Sequence, residues 1–161
     1  FVIAGEGPAL PGLRRTAADL GLTSNVLFVG YLDRRGPLLD CYRAADVFVF
    51  ASRTETQGLV LLESLALGVP VVSTAVLGTK EVLANAAGAL VVQENVAEFA
   101  AAVTRVLTEP GLRAQLASAG RDFVERHWSS REMARRLLAL YEELVRTKRV
   151  DSMTPRYDSA A

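Results

Sequence analysis

Short, nearly wholly apolar runs recur along this chain, each bounded by small or polar residues and most followed by a helical pattern. They fall at residues 1–4, 26–29, 47–50, 70–74 and 89–92. A strand with one wet face alternates apolar and polar side chains, and these runs do not. Strands of this kind are covered on both faces, which is the condition of parallel strands joined by crossover helices. The pattern predicts an α/β fold, a doubly wound, Rossmann-like parallel sheet.

The helical stretches fill the gaps. Leu10, Leu13, Ala17, Ala18 and Leu20 keep helical spacing up to Gly21, with Pro8 placed to open the helix. Leu38, Leu39, Tyr42 and Ala45 do the same over residues 36–45. A short helix is expected over 79–84, and longer ones over 96–107, 110–126 and 132–146. The last has Met133, Leu137, Leu140, Tyr141 and Leu144 on one face. The periodicity stops near Thr147, so residues 1–146 read as one domain and 147–161 as a loose tail.

The strand ends carry the polar chemistry: Gly5 to Gly7, Gly30-Tyr31, Ser52 to Gly58, and Ser73-Thr74 up to Gly78-Thr79. In a parallel sheet these ends line one edge, where such sheets bind ligands. Turn residues at strand ends account for each glycine singly. They account less well for Ser52-Arg53-Thr54-Glu55-Thr56-Gln57-Gly58, which leads into a helix bearing Glu63. Thr54 and Gln57 have capping-box spacing, placing the helix start near Glu55, and Gly68 before Pro70 suits a left-handed cap. Eight helical positions turn through about 800°, within roughly 80° of whole turns, so Glu55 and Glu63 can border one cleft. Free amides at a helix start, with Gly58 leaving room, suit a diphosphate. The plainer alternative is a dipole-complementing Glu followed by a solvated one.

Lys and Arg total 18 and Asp and Glu total 18, so there is no basic surplus to mark a nucleic-acid footprint. The one cysteine, Cys41, excludes an internal disulfide and fits a reducing, cytoplasmic setting. His127 has no His or Cys cluster around it, so no metal site is expected. No apolar run is long enough to span a bilayer. The chain opens in mid-strand without Met, which reads as a piece of a longer protein.

Other chemistries fit less well. Gly5-x-Gly7 lacks the third glycine of a dinucleotide loop, because Leu10 stands there, and Asp33 lies far past its strand. There is no Gly-Lys-Ser/Thr loop and no Gly-x-Ser-x-Gly elbow. Glu55 and Glu63 could serve glycoside hydrolysis only if both flanked one glycosidic bond. The doubly wound pattern favours a nucleotide-type ligand.

Glu55-x7-Glu63, followed by Gly68-Val69-Pro70-Val71-Val72, resembles the signature of the retaining GT-B glycosyltransferases of family GT4, the glycosyltransferase group 1 domain. Residues 1–8, 26–30, 45–52 and 88–92 occur in the same order as that family's segments, so the likeness covers about residues 1–146. It points to the carboxyl-terminal, donor-binding domain, with the domain's first strand missing and a gap or substitute strand beside residues 1–4. The Glu-Thr-Gln-Gly-Leu wording is similar to the diacylglycerol glucosyltransferase branch, implying a UDP-hexose donor and a lipid acceptor met at the inner face of a membrane.

The resemblance implies roles for individual residues. Glu63 would accept from ribose hydroxyls. Glu55, the catalytic candidate, would contact donor-sugar hydroxyls. Amides around Thr56, Gln57 and Gly58 would meet the sugar, and those of Leu59 and Val60 the phosphates. Gly30, Tyr31 and Leu32 would border the nucleobase, and Ser52 would support the site. The reaction implied is transfer of a hexose from a nucleoside diphosphate sugar with retention, using no cofactor and no metal. The implied partner is an amino-terminal acceptor domain of the same protein. The family's phosphate-binding Arg and Lys precede residue 1, and neither Arg53 nor Lys80 matches them. This chain alone would then transfer no sugar. A non-catalytic module binding nucleotide sugars is the alternative.

Overall fold

The computed structural model describes residues 1–153, with side chains to residue 148. They form two compact units, Phe1–Ala45 and the residues from Asp46 onward.

The first unit is a βαβα segment: β1 (Val2–Ala4), α1 (Leu10–Asp19), β2 (Leu27–Gly30) and α2 (Pro37–Arg43). β1 and β2 pair in parallel, Val2 opposite Leu27 and Ile3 opposite Phe28, with a register shift before Ala4 meets Gly30. The α1 helix opens at Leu10 with Pro11 in its first turn, so Pro8 lies in the preceding turn rather than at the helix start. Gly21, at φ +69°, ends that helix as expected. Arg14 places its guanidinium 5.1 Å from the centre of the Phe28 ring. Tyr42 of α2 is buried, whereas Val2 and Leu27 are exposed. The expectation of strands covered on both faces therefore does not hold for this unit.

The second unit continues as β3 (Phe48–Phe50), α3 (Leu59–Ala66), β4 (Val71–Ser73), α4 (Gly78–Leu83), β5 (Ala89–Val91), α5 (Val96–Thr108), α6 (Pro110–His127) and α7 (Ser130–Met153). Its sheet has the order β3-β4-β5, all parallel, with Phe48 opposite Val71 and Val71 opposite Ala89. The central strand shows why the fold is doubly wound. Val71 packs with Leu61 and Leu65 of α3 and Val82 and Leu83 of α4. Its neighbour Val72 packs with Ala102 and Val106 of α5 and Leu116 of α6. Successive side chains leave a strand on opposite faces, so two adjacent valines anchor two helical layers. Both are 0 % exposed, and each such burial stabilises by about 1.5–3 kcal/mol.

Within the first unit β1 pairs with β2, and within the second the ladder runs β3-β4-β5.

Glycines allow the close approaches. A Cβ on Gly88 would lie 2.2 Å from the Gly120 Cα, so α6 crosses main chain to main chain at the entry to β5. Gly68, at φ +76°, ends α3 in the left-handed cap expected of it. The α7 helix runs on through Met153, past the point near Thr147 where its apolar stripe stops, because a helical backbone needs no buried face to continue. The rest of the expected loose tail, residues 154–161, lies outside the described residues.

Candidate functional site

The turn between β3 and α3 leaves the carboxyl end of the β3 strand. Its helix starts at Leu59, four residues later than the capping-box spacing predicts. No side chain caps it. Gly58 is the N-cap, in the left-handed region at φ 66° and ψ 25°. A left-handed residue breaks the helical path, so the residues before it form a loop. Thr54 and Gln57 therefore make no capping box. Instead the Thr54 N–H donates to Ser52 Oγ at 3.3 Å.

Glu55 organises the loop. Its Oε1 accepts from the Gln57 N–H at 2.9 Å and from the Gly58 N–H at 3.0 Å. The Gln57 bond first, and the Gly58 bond second, hold its carboxyl below the usual carboxylate range. Glu55 is thus ionised at neutral pH, an acceptor and not a proton donor. The same bonds correct one expectation. The amides of Gln57 and Gly58, expected to face a sugar, here point at Glu55. The first amides of the helix, those of Leu59 and Val60, have no carbonyl four residues back within the helix and no side-chain cap.

Gly58 is buried, and a Cβ there would meet Leu61 Cδ1 at 3.3 Å and Val82 Cγ2 at 3.4 Å. Thr56, Gln57 and Leu59 are exposed, and Glu55, Val60 and Glu63 are half-buried. Glu63 is the fifth helical residue, one turn past the start, whereas Glu55 lies in the loop before the helix. Arg53 pairs through Nε, at 2.5 Å, and Nη2 with Glu94 Oε1, so its charge is matched at the surface. Gly30, Tyr31 and Leu32 belong to the first unit, at the end of β2. Gly30 has φ +69° and its carbonyl accepts from the Gly5 N–H at 2.7 Å, while Tyr31 is exposed.

Two features escaped the sequence reading. The turn after β4 holds two non-glycine residues at positive φ, Ala75 at 48° and Leu77 at 55°. Gly78, which the sequence marks only as a small residue near a strand end, lies directly against the main chain of Thr56. Among the described residues no group of His, Cys, Asp and Glu could hold a metal ion, and no helix is long and apolar enough to cross a membrane. In chemical terms the turn combines a loop-bonded carboxylate, a second carboxylate on the helix and helix-start amides without a side-chain cap. That set can grip hydroxyls and an anion together.

Residues 1–123 match the family described as glycosyl transferases group 1. The chain is 37 % identical over 121 residues to the lipopolysaccharide core biosynthesis glycosyltransferase LpsE of Rhizobium meliloti, covering 74 % of this chain and 35 % of that protein. It is 46 % identical over 73 residues to the alpha-monoglucosyldiacylglycerol synthase of Streptococcus pneumoniae, covering 45 % of this chain and 16 % of that one. Among solved structures, Anabaena HepE in complex with UDP superposes with a TM-score of 0.77. That match covers 88 % of this chain and 40 % of HepE at 18 % identity, a likeness of fold. The chain thus spans less than half the length of each of these three proteins.

Proposed function

The chain belongs to the glycosyl transferases group 1 family, and from that premise we propose that it is the donor-binding half of a retaining hexosyltransferase. The donor is a nucleoside diphosphate sugar, with a UDP-sugar favoured by the UDP bound to the structurally similar HepE. The observation that carries this reading is the start of α3. Its Leu59 and Val60 amides are left without a side-chain cap, Glu55 folds the loop before it, and Glu63 stands one turn along it.

The chemistry follows from those groups. In transfer with retention the bond from the anomeric carbon to the phosphate oxygen breaks, the acceptor oxygen bonds to the same face, and the acceptor hydroxyl's proton passes to the leaving diphosphate. Negative charge grows on the leaving diphosphate. The uncapped amides of Leu59 and Val60, at the positive end of the helix dipole, stabilise it. Glu63 accepts from the ribose hydroxyls. Glu55, ionised and preordered, holds the sugar hydroxyls. The resemblance alone assigns Gly30, Tyr31 and Leu32 to the nucleobase. Acceptor binding and the remaining phosphate neutralisation fall to an amino-terminal domain of the same protein. The similarity to the pneumococcal lipid glycosylating enzyme favours a lipid acceptor reached at a membrane surface.

Calorimetric titration with UDP, GDP and ADP tests this, repeated on Glu63→Ala. UDP is expected to bind tightest. Losing a charged acceptor costs about 1.5–3 kcal/mol, or roughly 10- to 150-fold in affinity. Unchanged UDP affinity in the variant would remove Glu63 from the site.

A further inference from the structure

A Cβ built on Gly78 would lie 2.0 Å from the Thr56 carbonyl oxygen and 2.4 Å from its carbonyl carbon. Both atoms are main chain, so no side chain can turn aside to make room. Gly78 does not have a positive φ. The position demands glycine for space and not for conformation.

The consequence runs through one peptide group. The carbonyl of Thr56 and the N–H of Gln57 lie in a single rigid plane. Seating the carbonyl on Gly78 fixes that plane and so aims the Gln57 N–H, which donates to Glu55 Oε1 at 2.9 Å. Val82, also on α4, stands against Gly58 at the next residue but one. The loop that leads into Gly78, the first residue of α4, is itself held at both ends. Ser73 Oγ accepts from the Ala75 N–H at 3.1 Å, and Thr79 Oγ1 donates to the Val76 carbonyl at 2.6 Å. Both hydroxyl residues are buried. Between them Ala75 and Leu77 keep left-handed φ values, which persist only where packing over-determines the backbone. A rigid seat therefore lies under one side of the Glu55 turn.

We propose that Gly78 is a positioning residue for the donor site: its bare Cα seats the Thr56 carbonyl and thereby orients the Glu55 turn toward the sugar portion of the donor. This rests on the donor-site reading above and adds a residue that does not touch the ligand.

The test uses the intact protein that carries this chain and compares affinities for UDP and UDP-glucose. Gly78→Ala is expected to weaken UDP-glucose at least tenfold while changing UDP less than twofold, because the phosphate amides and Glu63 sit on α3 itself. Gly88→Ala is the control, since its overlap with Gly120 lies in the packing between α6 and the turn before β5. It is expected to lower the thermal midpoint and leave the ratio of the two affinities unchanged. If Gly78→Ala does not fold, Leu77→Gly serves instead. It relieves the positive φ and frees the seat, so the ratio is expected to shift at least threefold with no fall in thermal midpoint. A ratio unmoved in the foldable variant, with both ligands bound by the parent protein, overturns the role of Gly78 alone. A parent protein that binds neither ligand overturns the donor-site reading with it.

Discussion

Two helices of the second unit begin in opposite ways. The α5 helix is capped by Asn95, whose side-chain oxygen accepts from the Ala97 N–H at 2.9 Å and the Glu98 N–H at 3.1 Å. The α3 helix has no side-chain cap, and the nearest carboxylate, Glu55, spends its bonds on the loop before the helix. A closed start serves stability. An open one leaves dipole and amides for something that is not part of the chain. Both follow a strand of the same sheet, so the fold does not dictate the difference; the residues in the turn do.

That contrast can be broken at either helix. The largest effect is expected from Gly58→Ala. An L-residue held left-handed costs about 1–2 kcal/mol, and the new Cβ crowds Leu61 and Val82. Denaturant unfolding should show the stability loss, and UDP affinity should fall as well, because the turn cannot keep its path. Asn95→Ala should be milder, about 1 kcal/mol of stability, with UDP affinity untouched. If it weakens UDP, the start of α5 is not the purely structural one described here.

The smallest effect is electrostatic. Folded Glu55 titrates below its ordinary value of 4.5, so its two amide bonds add stability above that pH, and the contribution is lost as pH falls through the lower folded value. Carboxyl-carbon NMR should place its midpoint below 4.5. Glu132, held by Arg135 at 2.7 Å and by Arg136 at 2.8 Å, should titrate at about 2. A Glu55 midpoint at or above 4.5 would mean that the loop bonds do not persist in solution.

How much of this the sequence reveals depends on the kind of physics involved. The five strands are legible because β-branched runs without polar interruption have few alternatives, and Gly68 before Pro70 announces its cap. The start of α3 is not. Thr54 and Gln57 have capping-box spacing, but whether the chain turns helical there depends on Gly58 adopting a positive φ, and a sequence prints no dihedral. The order of strands within the second unit escapes for a similar reason: apolar runs say that strands pair, not which edges meet. The Glu pair is legible as a motif, yet Glu55 bonding its own loop is not, since the bond needs the turn already built. Gly78 is the least legible, because its partner is a main-chain carbonyl 22 residues upstream that carries no residue-type signature.

Amide NMR during a UDP titration tests the central contrast most directly. Shifts should concentrate on Leu59 and Val60, extend to Gln57 and Gly58, and leave Ala97 and Glu98 still. Shifts that spare the start of α3, or that move Ala97 and Glu98 as far, would contradict an open helix start as the donor site.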